Sequence, residues 1–209
     1  KIFILSFITL LSYTFSSCKS ETGKEETKKE EVKEKVMKQT AAFSLKSAKN
    51  NIDFTAYKTT EKIGVGGQFK KVNILSGGAG NSIKEAINNT EFSIPVSSLF
   101  TKDSSRDYKI KKFFFGVMDA TKLLSGKLTI ENDSIGSAMI KMNGVSEKIP
   151  FKYSIDNATF AMNATMDVSN WNALEALASL NKVCEALHTG SDGVSKTWSE
   201  VTLNITSEF

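Results

Sequence analysis

Arg106 lies three residues from Asp103 and beside Asp107, with Asp119 a short way on, a cluster of groups that could move a proton. A carboxylate pair can serve as acid and base, but the chemistry needs a nucleophile or a second catalytic type nearby, and none is present. Arginine favours a two-pronged grip on a carboxylate. The expectation is a structural ion pair in which Arg106, through Asp107 or Asp119, fixes a loop to the body of the protein, with Arg106 and Asp107 forming a polar mouth.

The remaining reactive residues do not add up to a catalytic set. His188 is the single histidine, and no cysteine cluster stands ready to complete a metal site with it. It falls in the last turn of an expected helix, where a partly charged imidazole meets the negative end of the helix dipole. Cys184 falls in an apolar stripe and reads as a small buried core residue. The runs Gly144-Val145-Ser146-Glu147-Lys148 and Gly193-Val194-Ser195-Lys196-Thr197 lack the second glycine of a nucleophile elbow. Gly77-Gly78-Ala79-Gly80 precedes a helix, without the Lys-Ser/Thr pair or the βαβ setting of a phosphate loop. No catalytic residue, metal or cofactor is expected, and the chain is not read as an enzyme.

The Arg-Asp cluster sits between a strand and a helix. Phe92, Ile94 and Val96 alternate with Glu91, Ser93 and Ser97, so one face turns to a core. Ser104 with Asp107 has the spacing of a capping box, and Ile110, Phe113, Phe114 and Val117 follow at i, i+3, i+4 and i+7. Period-two patterning predicts further strands over Phe43–Lys49, Ile52–Thr59, Gln68–Leu75, Phe92–Ser98, Leu124–Glu131, Ile135–Met142, Glu147–Ile155, Thr159–Val168 and Thr197–Phe209. In the last, Val201, Leu203, Ile205 and Phe209 share a face. Asp133-Ser134-Ile135 resembles a short bacterial glycosylation acceptor, but a hairpin turn is favoured there. Two more helices are expected. One is short, opening at Ser82 with Glu85 and ending around Asn88-Asn89. The other runs from about Asn170 to Leu187, with Ser169 as cap, Gly190 as stop and an apolar stripe of Ala173, Leu177, Leu180, Cys184 and Leu187. Consecutive short strands favour a meander, which is most stable when closed without free edges.

With 209 residues, 40% of them hydrophobic, the chain can bury a core without disulfide or metal. The net charge of +4 is modest and no aromatic-rich basic run appears, so nucleic acid is not an expected partner. Residues 1–17 have the layout of an export signal: Lys1, an apolar run and the small pair Ser16-Ser17 before Cys18. Cys18 sits where a lipoprotein carries its acylated thiol, although Phe15 replaces the usual aliphatic residue; the other reading is a plain secretory signal with an incidental cysteine. Residues 18–41 form a solvated tether, dominated by Lys and Glu from Lys19 to Gln39, a stretch of about 22 residues that would span on the order of 70 Å if extended. The folded domain is expected over residues 42–209.

Four stretches carry a resemblance to the YceI-like family: Phe54-Thr-Ala-Tyr-Lys with Gly66-Gly67-Gln68-Phe69; Ile94 to Asp119, where Arg-Asp leads into the phenylalanine run; Gly126-Lys-Leu-Thr-Ile130; and Met142-Asn-Gly-Val-Ser-Glu-Lys-Ile-Pro-Phe151. The resemblance implies an all-β, lipocalin-like, up-and-down antiparallel barrel of about eight strands, with helical insertions and one longer amphipathic helix packed on it. It also implies an isoprenoid-like or other long-chain lipid as cargo. Fourteen phenylalanines either fill such a barrel or line a space for that lipid, and the sequence does not decide between these. The residues expected at the apolar pocket are Phe54, Phe69, Phe92, Ile94, Phe113, Phe114, Phe115 and Trp171. The histidine that relatives often carry in the first strand has no counterpart near Phe54–Tyr57, and the helix from Asn170 is an insertion that closes or fills the barrel. The resulting expectation is a monomeric outer-membrane lipoprotein of a Gram-negative envelope, facing periplasm or cell surface, anchored through acylated Cys18 and binding a lipid. The competing reading is an envelope module with a solid barrel that recognises a protein or glycan.

Overall fold

The computed structural model describes residues 41–209. The expected signal, Cys18 and the tether up to residue 40 lie outside the described residues. In chain order the elements are β1 (Phe43–Ser44), β2 (Lys49–Lys58), β3 (Ile63–Phe69), β4 (Asn73–Ser76), β5 (Ala79–Gly80), α1 (Ile83–Ile87), β6 (Glu91–Pro95), β7 (Leu99–Phe100), α2 (Ser104–Phe113), β8 (Leu123–Ile130), β9 (Ile135–Met142), β10 (Val145–Asp156), β11 (Thr159–Asp167), α3 (Leu174–Val183), α4 (Glu185–His188) and β12 (Thr197–Glu208).

Ten of these strands form one antiparallel sheet in the order β4-β6-β8-β9-β10-β11-β12-β2-β3-β7. Its two ends are halves of the same pair of segments, since β4 continues β3 and β7 continues β6. Asn73 faces Ser93 and Ile74 faces Phe92 at one end, while Gln68 faces Phe100 and Phe69 faces Leu99 at the other. Between them the Lys70 amide donates to the Ser98 carbonyl at 3.0 Å. Residues 63–76 therefore run beside 91–100, and the sheet closes into an eight-segment barrel, the size whose interior just accommodates side chains or one ligand.

The strands alternate as a barrel wall requires. Phe160, Met162 and Ala164 of β11 are buried, as are Ile149, Phe151 and Tyr153 of β10. The tight β9–β10 connection is Asn143-Gly144, both left-handed at φ 51° and 72°, a turn whose twist suits a hairpin. The β8–β9 turn is held by Asn132, whose Oδ1 accepts from the amides of Ser134 and Ile135, so Asp133-Ser134-Ile135 sits in a hairpin turn.

Several expected boundaries are corrected. The strand expected over Gln68–Leu75 is β3 and β4, and β3 begins earlier, at Ile63, because Gly64, Gly66 and Gly67 obscure its alternation. The helix expected from Asn170 to Leu187 is three pieces: a 3-10 turn over Val168–Trp171, then α3, then α4. Asn172 is left-handed at φ 55°, which no helix continues through, and Cys184 is non-helical at φ −114°, ψ 11°. The cap ahead of it is the Asp167 side chain, which accepts from the Ser169 amide, not Ser169 itself. Likewise α2 is capped by Asp103, whose Oδ1 accepts from the Arg106 amide at 3.0 Å, not by Ser104. It ends at Phe113, giving way to a 3-10 turn over Phe115–Val117.

Candidate ligand cavity

Both ends of the barrel are covered. At one, α2 and α3 pack on each other, and Ile110, Leu177 and Leu180 face inward. At the other, Leu45 and the α1 residue Ile87 close the floor, and the rings of Phe43 and Phe209 meet edge-on at 5.7 Å. Between these caps lies a cavity of about 210 Å³.

The lining is apolar apart from Asn50, Thr90, Thr197 and Ser207, and each of these is satisfied by the protein. Thr90 donates to the Ala86 carbonyl at 2.7 Å, and the Ser207 hydroxyl to Asn50 Oδ1 at 2.7 Å. Asn50 Nδ2 donates to the carbonyls of Leu45 and Ala48, and the Thr197 hydroxyl to Asn181 Oδ1. A water placed inside would meet only spare hydroxyl lone pairs, short of the two to four partners it needs. A dry void of this size destabilises a fold by on the order of 5 kcal/mol at roughly 24 cal/mol per Å³. Retaining it is an expense a purely structural barrel has no reason to bear.

Among the residues expected at the pocket, the structure brings Phe54, Phe69, Phe92, Ile94, Phe114 and Phe115 to the cavity wall. Phe54 and Phe69 lie 5.6 Å apart, Phe69 and Phe115 6.3 Å, and Phe114 and Phe115 5.0 Å, so these rings form one continuous aromatic run. Phe113 and Trp171 are not part of the lining. Phe113 ends α2 on its outer side against Tyr108, with the Lys112 ammonium over its ring, since the helix stops there and the next residues turn inward. Trp171 is wholly buried behind the wall, its Nε1 donating to the Ile140 carbonyl at 2.9 Å. The sequence reading passed over Met162, Leu203 and Ala138, which also line the space; the alternation of their strands was the available signal.

Arg106 and Asp107 do not pair with each other. The Arg106 guanidinium reaches Asp103 at 3.7 Å across a surface where both side chains are more than 40% exposed. The hydrogen bond from the Arg106 amide holds the Asp103 carboxyl below the usual carboxylate range, against an opposing desolvation, with the guanidinium charge adding a lesser pull. Asp107 instead accepts from the amide and hydroxyl of Thr101 at 2.8 and 2.7 Å. Asp119 makes its contact through the backbone, its amide donating to Asn143 Oδ1. His188 Nδ1 lies 2.6 Å from the Thr197 hydroxyl. Burial, then the ammonium groups of Lys58 and Lys109, push its pKa down, so the partly charged imidazole expected there is shifted towards its neutral form. Cys184 is buried, and burial pushes its thiol up.

The YceI-like domain family matches residues 43–209. No curated protein matches the chain. Among solved structures, the chain is similar to a polyisoprenoid-binding domain from Saccharophagus degradans implicated in plant cell wall breakdown, at 11% identity and a TM-score of 0.54, with 81% of this chain and 97% of that one covered. It is also similar to BcnA of Burkholderia cenocepacia, at 13% identity and a TM-score of 0.51, covering 79% and 98%. These likenesses support the fold.

Proposed function

The chain belongs to the YceI-like domain family, and from that premise we propose that it holds a long apolar-chain lipid, isoprenoid-like in character, inside its barrel. The carrying observation is the apolar barrel cavity in which every polar lining group is already bonded to protein. Its volume of about 210 Å³ lies below the roughly 300–1,000 Å³ common for small-molecule sites. The part of the occupant that enters is accordingly small in volume. The polyisoprenoid-binding domain from Saccharophagus degradans supports the same class of cargo.

In this reading the protein is a lipoprotein of the Gram-negative envelope, attached to the membrane through acylated Cys18, with residues 18–41 as spacer. It carries or buffers its lipid and performs no chemistry on it. Native mass spectrometry of protein extracted from its own membrane and freed of detergent tests the cargo. The expected spectrum shows the chain plus one apolar small molecule. Repeatedly empty protein that also fails to take up a long-chain alcohol would overturn the proposal and leave the solid interaction module.

A further inference from the structure

The barrel wall is split on one side. The β2–β3 ladder stops at the pair Ile52 and Phe69. Below it, residues Lys49–Asn51 pair only with β12, and β4 pairs only with β6. The two segments diverge, and the gap between them opens into a polar depression of about 500 Å³. Leu45, Lys46, Ala48 and Asn50 form one bank, and Lys70 through Ile74 the other. Four residues, Leu45, Asn50, Val72 and Ile74, line both this depression and the interior cavity, so the two spaces share a wall.

The charge of the depression is one-sided. Lys46, Lys70 and Lys71 line it, and among the described residues no carboxylate does. None of the three is in an ion pair among the described residues. Lys70 leans on the Gln68 side chain and the Phe100 ring. A chain-like ligand must put its polar end somewhere, because the interior offers it no partner and both barrel ends are capped. The split is the place where an apolar channel meets unpaired ammonium groups, which favour an anion.

We propose that this split is a side portal that seats the head of the ligand, and that the head is an anionic oxyacid, a phosphate or carboxylate joined to the apolar chain. Lys46, Lys70 and Lys71 hold the head, and the chain passes Leu45, Val72 and Ile74 into the barrel. The inference rests on the lipid-binding reading above and specifies the chemistry of its ligand.

The test uses the full chain stripped of lipid and three probes: farnesol, farnesyl phosphate and inorganic phosphate. The wild type is expected to bind farnesyl phosphate on the order of tenfold more tightly than farnesol at low salt, with the gap narrowing as salt is added. Lys46→Gln, Lys70→Gln and Lys71→Gln together are expected to abolish the gap by weakening farnesyl phosphate far more than farnesol, in protein whose circular dichroism shows the barrel still folded. Equal affinities in the wild type, or a gap that survives the triple substitution, overturns the portal assignment while lipid binding stands. Inorganic phosphate binding as tightly as the ester also overturns it, since the site would then be uncoupled from the cavity. Failure of both farnesyl compounds to bind removes the lipid-binding reading and this inference with it.

Discussion

Phe54 of β2 lies directly across the ladder from Gly67 of β3, and a β-carbon on that glycine would come within 2.3 Å of the Phe54 ring. The pairing recurs twice around the barrel: Phe92 faces Gly126, and Phe151 faces Gly136. Each large ring lies over the bare backbone opposite, so these glycines set where the rings stop and how much space is left. The two outcomes of adding a methyl group should differ. At Gly136 the neighbours are the Phe151 ring, 2% exposed, and the Thr129 carbonyl at 2.6 Å, neither of which can retreat. Gly136→Ala is expected to destabilise by about 1–3 kcal/mol in denaturant melts. At Gly67 the ring can swing into the cavity, so Gly67→Ala should melt closer to wild type yet take up less long-chain alcohol.

Asn143 ties three segments together. Its Nδ2 donates to the carbonyls of Trp171 and Asn172, its Oδ1 accepts from the Asp119 amide at 2.7 Å, and its own amide donates to the Thr121 hydroxyl. Its backbone is left-handed, which asparagine and glycine adopt at lower cost than alanine. Asn143→Ala is expected to cost about 2–3 kcal/mol, and Asn143→Gly roughly 1 kcal/mol less. Equal losses in chemical denaturation would show that the side-chain bonds alone matter.

The barrel was largely legible because its signal is local. Val201, Leu203 and Ile205 alternate with polar residues along β12, and the same period marks β8 to β11. Closure was expected, but its seam was not legible, since it depends on the Lys70 amide meeting the Ser98 carbonyl, a contact across 28 residues that no periodicity encodes. The aromatic wall was visible residue by residue. Phe113 was misplaced because its position depends on where α2 ends, and Trp171 because a large apolar side chain reads the same whether it lines a cavity or backs its wall. The split beside β4 carries no local signal, as it arises from a ladder that stops.

Arg106 illustrates how charge spacing misleads. Its carboxylate partner is Asp103, within the same turn and well exposed, a geometry in which solvent screens the attraction. Arg106→Ala should melt indistinguishably from wild type. Asp107→Ala should be the damaging change, by about 1–2 kcal/mol, because the Thr101 amide and hydroxyl lose their acceptor. The reverse order in thermal melts would restore the keystone role to the arginine.

His188 makes the cap over α3 and α4 sensitive to mild acid. Burial, with Lys58 and Lys109 nearby, holds its folded pKa below the ordinary 6.5. The unfolded chain therefore takes up the proton first as pH falls. Stability is full above 6.5, declines as pH drops through that value towards the folded pKa, and levels off below it. Between about pH 7.5 and about pH 5.5 the wild type should lose melting temperature that His188→Gln does not lose. A parallel decline in both proteins would assign the effect to other groups.

Membrane attachment should rest on one thiol. Once the apolar run before Ser16-Ser17 is removed, Cys18 leads into a segment of Lys and Glu without an apolar face, so the acylated thiol is the expected hold on the bilayer. A single acyl chain gives reversible binding, whereas the several chains of a bacterial lipoprotein add about 0.8 kcal/mol for each buried methylene and do not let go. Wild-type protein is therefore expected to resist a high-salt wash, which strips electrostatic attachment, and to partition into detergent. Cys18→Ser should leave either a soluble, folded barrel that still binds long-chain alcohol or an unprocessed precursor. Protease added to intact cells then reads the face: cleavage within the tether places the barrel on the cell surface, and protection places it in the periplasm. Wild-type protein recovered wholly in the salt-soluble fraction would overturn the anchor while leaving the cavity and its cargo as they stand.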